Sequence, residues 1–298
     1  MRLIIFISTI VLSMFLMVGS LGLNNVNDEV SELFEPKKIS VKPFNNLKQG
    51  QTAIIEVKSD KKLLNPYLLH SGKKIKLYKQ GENTYRGLIG FDATDKPGTY
   101  KIALNDETGY LKDETKITLA ASKFPIQNIR VSGKGGGLGA TQDELNKVQK
   151  FKDTLTDNPY WSNPPFNSPT DGCIISIYGL NRYYNGKPSG NYHKGIDIKA
   201  PQGRAIRSIA GGKVLIGEQF RLHGGTVAID HGQGVSSIYL HMSKIDVKPG
   251  QIVKQDQLIG KVGSTGFATG PHLHWGLYIN GVPVDPMNYW VKPVTKCS

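Results

Sequence analysis

The feature that most constrains this sequence is how its apolar residues recur, in short runs that alternate with polar residues and stop at Gly, Pro or Asn. Alternation with a period of two is typical of a strand with one buried face, whereas an amphipathic helix needs apolar residues three or four positions apart. The 34 glycines and 16 prolines supply turns between these runs. The sequence therefore predicts a mostly β protein.

Residues 38–121 are predicted to form a β-sandwich-like domain. Residues 53–57 and 100–104 alternate apolar and polar side chains, and residues 95–98 have the composition of a turn that leads into a strand. We expect five to seven strands in about 85 residues, which suits a small sandwich. His70 is the only histidine here, so we expect no catalytic cluster in this segment.

Residues 122–170 are predicted to be a linker with one helix. Residues 133–139 are rich in glycine, and residues 158–169 are rich in Pro and Asn, as linkers are. Between them, Thr141 and Glu144 have the spacing of a capping box, which begins a helix. The apolar face of that helix would consist of Leu145, Val148, Phe151 and Leu155.

Residues 171–291 are predicted to form a single, mostly antiparallel β domain. Glycines are frequent in this segment, and residues 230–234 and 280–281 have the composition of hairpin turns. Long helical periodicity is absent from it. The predicted architecture is thus an N-terminal β-sandwich-like domain, a helical linker and a C-terminal antiparallel β domain.

The N-terminus has the pattern of an export signal. Arg2 precedes an apolar run over residues 3–18, and the small residues at 18–20 suit a cleavage site. Residues 1–20 are therefore predicted to be a signal peptide. The alternative is an uncleaved membrane anchor, because residues 3–23 are long enough to cross a bilayer at about 1.5 Å per residue. Either reading places the rest of the chain outside the cytoplasm, in the periplasm or cell envelope or secreted.

The chain is strongly basic. It has 37 Lys and Arg against 24 Asp and Glu, a formal net charge of +13. Such a surface attracts anionic polymers, which include nucleic acid, an anionic membrane face and an acidic cell-wall polymer. An extracytoplasmic chain is not expected to meet nucleic acid, so an envelope polymer is the favoured partner.

Cysteine is scarce. Cys173 and Cys297 are the only two, which excludes a disulfide-rich scaffold. In an oxidising compartment the two could form one disulfide, or both could remain thiols. The sequence leaves these two alternatives open.

Histidine is concentrated in the C-terminal domain, where six of the seven fall between residues 193 and 274. His193 and Asp197 flank Gly195 in a segment with the composition of a strand, so alternation places all three on one face. An imidazole and a carboxylate on the same face suit zinc. The six residues are His193, His223, His231, His241, His272 and His274.

The pair His272 and His274 repeats this arrangement. Period two places both imidazoles on one side of a strand, and Pro271 favours the extended backbone that this requires. Two histidines and one carboxylate are the ligand set of catalytic zinc sites, and Cys is too scarce for a structural one. Spacing alone does not decide which of the pair binds metal. His241 is a candidate base, and strand alternation places Tyr239 beside it.

In motif order, the C-terminal domain resembles the lysostaphin-type, or LytM-domain, zinc endopeptidases that cut peptidoglycan peptides. The motifs are His193-x-x-x-Asp197, Tyr239-x-His241-Met242-Ser243, and residues 263–266 followed by residues 270–274. The resemblance implies that His193, Asp197 and His274 bind one Zn²⁺. It also implies that His241 and His272 are the catalytic pair that orients water, accepts its proton and stabilises the oxyanion. The helical zinc motif His-Glu-x-x-His is absent, which argues against a thermolysin-like enzyme.

Departures from the family pattern are small. Met242 replaces a usual Leu, and Trp275-Gly276 stands where many members have an aromatic residue and Glu. In some members of the family a tyrosine upstream of the first ligand assists the reaction, and Tyr184 and Tyr192 are the candidates here, although an aromatic residue on the wall of the groove is the favoured role. Of the remaining histidines, His231 is expected to have a structural role in a hairpin turn. His223 is expected to be exposed in a loop, with a position lining the groove as the alternative.

The sequence thus predicts an exported zinc metalloendopeptidase that hydrolyses peptidoglycan stem peptides or cross-bridges. One alternative is a noncatalytic wall-binding activator of other cell-wall hydrolases, and another is a zinc peptidase that acts on exported proteins. Residues 38–170 would position the enzyme on the wall or inhibit it by covering the groove. A membrane contact is expected only through an uncleaved N-terminal segment.

Overall fold

The structure is a computed structural model, and it describes residues 39–42, 47–60, 62–108, 113–130 and 139–297. The predicted signal peptide and most of the glycine-rich residues 133–139 lie outside these ranges. Within them the chain is mostly β, with one α-helix, which confirms the predicted fold class. Across the same ranges, no helix combines the length and the hydropathy needed to cross a membrane.

Two four-stranded antiparallel sheets form the N-terminal sandwich. Their strand orders are β1-β2-β6-β5 and β4-β3-β7-β8. Ile55, Leu68, Ile102 and Leu104 from the two sheets are fully buried in a shared core, as alternation requires. The strands are β1 (Ile39–Lys42), β2 (Thr52–Lys58), β3 (Tyr67–His70), β4 (Lys73–Lys76), β5 (Tyr78–Lys79), β6 (Thr84–Gly90), β7 (Gly98–Asn105) and β8 (Asp113–Leu119).

The segment predicted as a linker is more ordered than its composition suggests. It contributes a strand, β9 (Ile126–Ile129), which pairs in parallel with residues 181–184. It then forms the predicted helix, α1 (Gln142–Asp153), in which the hydroxyl of Thr141 accepts the backbone N–H of Glu144 at 3.2 Å. The linker prediction therefore missed a strand that depends on a long-range partner.

Only half of the predicted apolar face of α1 is used for packing. Phe151 is buried and Val148 packs beside it, in a cluster with side chains of the C-terminal sheet. Leu145 and Leu155 are each 50% exposed, and Leu155 lies beyond the end of the helix. The apolar packing of the helix on the C-terminal sheet is therefore confined to its last two turns.

The C-terminal region is built around an eight-stranded antiparallel sheet with the order β10-β13-β21-β17-β16-β15-β19, in which β22 also pairs with β21. Two three-stranded sheets, β12-β11-β9 and β14-β20-β18, flank it. The strands are β10 (Cys173–Ser176), β11 (Asn181–Tyr184), β12 (Lys187–Tyr192), β13 (Ile196–Lys199), β14 (Ala205–Arg207), β15 (Gly212–Gln219), β16 (Gly225–Gly232), β17 (Val235–Met242), β18 (Lys244–Ile245), β19 (Ile252–Val253), β20 (Leu258–Lys261), β21 (His272–Ile279) and β22 (Val282–Val284), followed by a 3₁₀ helix (Pro286–Asn288).

The predicted hairpin turn at residues 280–281 joins β21 to β22. Asn280 and Gly281 both have positive φ, 48° and 76°. A two-residue turn that matches strand twist needs this conformation, which Asn and Gly adopt most readily. The sequence signal and the structure agree here because the turn is local.

The structure joins Cys173 and Cys297 in a disulfide across 124 residues of chain. The bond ties β10 to the C-terminal tail, whose backbone also pairs with this strand through Ile174 and Thr295. Of the two alternatives that the sequence left open, the structure therefore has the disulfide.

The N-terminal sandwich packs directly on the C-terminal sheet. Asn280 Nδ2 donates to the carbonyl of Leu88 at 2.6 Å, and Trp290 Nε1 donates to Thr52 Oγ1 at 3.0 Å. The main core of the C-terminal region also includes apolar side chains from β2 and β6. The predicted domain limits of 38–121, 122–170 and 171–291 stay predictions, since packing does not set a boundary.

Candidate metal centre

The first ligand candidates lie on two adjacent strands, β13 and β21. Asp197 is the direct cross-strand partner of His274. Residues paired in this way present their side chains on the same face. His272 shares that face with His274, while Leu273 is fully buried on the other. The His-x-His segment therefore alternates as predicted.

His193 reaches the same place by a different route. The sequence predicted a strand that included His193, but β13 begins only at Ile196 and His193 lies in the connection that follows β12. A Cβ at Gly195 would lie 2.4 Å from the carbonyl oxygen of Trp275 and 3.0 Å from His274 Nε2. Only glycine allows so close an approach, so the bend at Gly195 places His193 beside Asp197.

Three atoms that can each bind a metal ion converge at this point. His193 Nε2 lies 3.0 Å from Asp197 Oδ1 and 3.0 Å from His274 Nδ1, and the latter lies 2.9 Å from Asp197 Oδ1. His193 is fully buried and Asp197 is 9% exposed. The three residues form a group whose geometry can hold a metal ion.

The protonation pattern also fits a cation. His193 Nδ1 lies 2.8 Å from the carbonyl oxygen of Ile177, which can only accept, so this nitrogen carries the proton. In a neutral ring, Nε2 then presents a lone pair to the carboxylate. Burial lowers the pKa of His274 to about 3. Burial also raises the pKa of Asp197, but the contacts of its carboxylate with the His193 and His274 rings outweigh this and hold it well below its usual value. Two imidazoles and a carboxylate that converge in this way suit a divalent metal ion.

His241 enters the site through a break in strand regularity. Its φ is 64°, a left-handed conformation that is rare for a residue with a side chain and costs on the order of 1–3 kcal/mol. Its backbone N–H donates to the carbonyl of His223 at 3.0 Å, and its Nδ1 donates to the carbonyl of Thr265 at 2.9 Å. These bonds hold the ring on the side of the ligand candidates, and its centroid lies 6.2 Å from that of His274.

The expectation that Tyr239 accompanies His241 is wrong. Tyr239 is fully buried, pairs with Trp275 across the sheet and accepts the backbone N–H of Ile209 at 3.1 Å. It therefore lies on the face opposite His274. The left-handed residue at 241 reverses the alternation, which the sequence did not predict.

His272 lies opposite His241, with 4.9 Å between ring centroids. Its Nδ1 donates to the carbonyl of Gly270 at 2.8 Å, and its Nε2 is 4.0 Å from Asp197 Oδ1. Burial and the neighbouring His272 lower the pKa of His241 to about 4, so this ring is neutral near pH 7. With Nδ1 tied to a backbone carbonyl in both rings, Nε2 is the nitrogen that can accept a proton.

The other two histidines differ from each other. His231 is fully buried, donates from Nδ1 to the carbonyl of Gly211 at 2.6 Å, and has Ser237 Oγ 2.7 Å from Nε2. This fits the predicted structural role. His223 was expected to be merely exposed, which is wrong, because its ring contacts the buried carboxylate of Glu144 and its side chain is only 24% exposed.

The tyrosines that precede His193 are not both free to face a substrate. The hydroxyl of Tyr192 hydrogen-bonds to the carboxylate of Asp92 in the N-terminal sandwich, and its ring packs edge-on against Tyr178. Tyr184 is half-buried on β11. Contact with the sandwich therefore engages the aromatic residue adjacent to the first ligand candidate.

Sequence reasoning missed the groups that orient the histidines. These are the carbonyls of Ile177, Thr265 and Gly270 and the carboxylate of Glu144. Carbonyls carry no sequence signal, although Thr265 and Gly270 lie within recognised motifs. Glu144 was assigned only to a helix cap.

Comparison with known proteins bears on the same residues. The model of Peptidase family M23 matches residues 191–286, which contain all five candidate site residues. The DD-carboxypeptidase/endopeptidase Mpg of Neisseria meningitidis is 43% identical over 96 residues, which are 32% of this chain and 22% of that protein. The peptidoglycan DD-endopeptidase ShyB of Vibrio cholerae is 40% identical over 95 residues, with the same shares.

Similarity in structure extends further along the chain. A crystal structure of a peptidase M23 protein from Pseudomonas aeruginosa has a TM-score of 0.60 and 27% identity, and covers 81% of this chain and 94% of that one. The chain spans about a fifth of the length of each of these two curated relatives. The similarity to these relatives is therefore limited to one domain.

Proposed function

We propose that this chain is an exported zinc endopeptidase that hydrolyses peptide bonds of peptidoglycan, because the model of Peptidase family M23 matches residues 191–286 and the motifs of the same residues resemble those of the lysostaphin-type endopeptidases. The observation that carries the proposal is the convergence of His193, Asp197 and His274, with His241 and His272 beside them. Stem peptides and cross-bridges are the proposed substrates.

His193, Asp197 and His274 are the proposed zinc ligands. Zinc supplies a Lewis acid that polarises the scissile carbonyl and lowers the pKa of water toward neutrality. Asp197 contributes the one negative charge of the set, and the Ile177 carbonyl fixes the orientation of His193. With a mixed imidazole and carboxylate set, the centre resembles catalytic sites more than structural ones.

His241 and His272 are the proposed catalytic pair. The Nε2 atom of a neutral imidazole takes a proton from the attacking water as the new C–O bond forms. The imidazolium then donates a hydrogen bond to the oxyanion and passes its proton to the leaving amine as the C–N bond breaks. The Thr265 and Gly270 carbonyls fix the tautomers, so that both Nε2 atoms are available for this work.

Three further observations support the substrate and the location. The names of the two relatives describe DD-carboxypeptidase or endopeptidase activity, in one case on peptidoglycan. The net charge of +13 suits an anionic wall polymer. The Cys173–Cys297 disulfide suits an oxidising compartment outside the cytoplasm. Inhibition by residues 38–170 and anchoring by the N-terminal segment stay predictions.

The test is a digest of purified sacculi by the chain without residues 1–20, with and without a zinc chelator, followed by mass spectrometry of released fragments. We expect chelator-sensitive release with one kind of new amino terminus, which would also name the bond. Zinc binding without release, in wild type as in His241→Ala, would instead favour the noncatalytic activator. Cleavage of casein with intact sacculi untouched would favour a peptidase for exported proteins.

A further inference from the structure

A buried carboxylate outside the M23 match contacts the loop that supports His241. Glu144, in the first turn of α1, has a side chain that is fully buried. Its oxygens accept the backbone N–H groups of Leu222 at 3.2 Å and of His223 at 3.0 Å, and one also accepts from His223 Nδ1. In a capping box this carboxylate would turn back to Thr141. Here it turns to the loop instead.

The loop that Glu144 holds continues to His241. The carbonyl of His223 accepts the backbone N–H of His241 at 3.0 Å. Two residues on, the N–H of Gly225 donates to Thr265 Oγ1 at 2.8 Å, and the carbonyl of Thr265 accepts His241 Nδ1–H. One hydrogen bond fixes the left-handed backbone of His241 and the other fixes its tautomer. The loop therefore positions the acceptor carbonyls of both bonds.

The space around the loop leaves it little freedom. A Cβ at Gly224 would lie 2.4 Å from the backbone oxygen of Thr265. The loop and residue 265 are thus in direct backbone contact, and a shift of one moves the other. Burial raises the pKa of Glu144, but the hydrogen bonds from His223 and Leu222 outweigh it, and the pKa lies below its usual value. The carboxylate is therefore charged near pH 7.

We propose that Glu144 is a positioning residue for His241, which it acts on through the loop of residues 222–225. The proposal rests on the proposed function, because it takes His241 as a member of the catalytic pair. It extends the active site to the helix before the peptidase domain. Without the carboxylate, the two backbone N–H groups of Leu222 and His223 and the Nδ1 atom of His223 lose their acceptor. The His223 carbonyl then no longer holds His241 in its left-handed conformation.

The test compares Glu144→Gln with Asp143→Asn, a matched loss of charge on the same turn of the helix. Asp143 is exposed and its salt bridge is to Lys147. We expect Glu144→Gln to lower kcat on sacculi about 10- to 100-fold with KM and bound zinc unchanged. We expect Asp143→Asn to match the wild type in all three.

A second readout does not depend on activity. Hydrogen exchange followed by mass spectrometry should show faster exchange in Glu144→Gln at residues 222–225 and 239–243, with the N-terminal sheets unchanged. His223→Ala removes one of the three contacts and should give the same pattern with a smaller loss of kcat. It replaces Glu144→Gln as the test if that variant does not fold.

Several results would overturn the proposal. Unchanged exchange at residues 222–225 and 239–243 would do so, as would a raised KM with normal kcat, which indicates substrate binding instead. Loss of zinc in Glu144→Gln would show that Glu144 supports the ligands and not His241. If the wild type hydrolyses nothing, the proposed function fails, while the exchange experiment still decides whether Glu144 positions His241.

Discussion

The hairpin of β16 and β17 has a histidine near each end, and the two rings differ in the hydrogen-bond partner of Nε2. His231 and His241 are both buried, both have a pKa lowered to about 4 chiefly by burial, and both donate from Nδ1 to a backbone carbonyl. Ser237 occupies Nε2 of His231, whereas no hydrogen bond to Nε2 of His241 occurs among the described residues. Burial and pKa therefore do not separate the structural histidine from the proposed catalytic one, but the hydrogen-bond partner of the second ring nitrogen does.

The largest expected effect is on activity at the open end of the hairpin. His241→Ala should lower kcat about 100- to 10,000-fold, because it removes a proposed proton acceptor. Bound zinc should stay stoichiometric, since His241 is not a proposed ligand. Steady-state assays on sacculi and metal analysis measure both. Full activity in this variant would remove the contrast between the two histidines.

At the other end of the hairpin we expect a loss of stability. His231→Ala removes the buried partner of the Gly211 carbonyl and one of the two partners of the Ser237 hydroxyl, and it creates a cavity. The free energy of unfolding should fall by about 2–4 kcal/mol. Below the melting temperature, kcat should stay within a factor of about two of the wild type. A large fall in kcat with normal stability would place His231 in the mechanism.

The pH dependence of stability gives a related expectation. The pKa of His231 is about 4 in the folded chain against 6.5 in the unfolded one, so the unfolded chain binds the proton more readily. Stability from this group is complete above pH 6.5 and is lost as the pH falls toward 4, by about 3 kcal/mol. Denaturant titrations should show a shallower decline in His231→Gln. Parallel curves for the two proteins would contradict the lowered pKa.

The smallest effect concerns Tyr239, which the strand pattern placed with His241 and the structure places with Trp275. Tyr239→Phe removes the acceptor of the Ile209 N–H and should lower the free energy of unfolding by about 1 kcal/mol. It should leave kcat unchanged. A specific loss of kcat would indicate that Tyr239 lies on the same face as His241, and it would contradict the reversal of alternation at His241.

Sequence reasoning succeeded where structure is local. The β class, the alternation of His272 and His274, the turn at residues 280–281 and the start of α1 follow from spacing and turn chemistry. A strand pattern needs no knowledge of the partner strand to say which side chains share a face.

It failed where distant groups decide the conformation. The pattern at His193 predicted a strand, but close contact of Gly195 with β21 produces a bend. The pattern at His241 predicted alternation, but carbonyls of residues 223 and 265 stabilise a left-handed residue. The contact of Glu144 with His223 joins residues 79 apart in the chain, which composition cannot reveal.

The central claim is that one face of the sheet holds two sets of residues with different roles, the proposed metal ligands and the proposed catalytic pair. His272 and His274 test it most directly, because they lie two residues apart on β21 with side chains on that face. The measurement is the zinc content of His272→Ala and His274→Ala after dialysis, both at the same protein concentration. The account predicts stoichiometric zinc in His272→Ala and its loss in His274→Ala. Zinc retained by His274→Ala, or lost from His272→Ala alone, would contradict it.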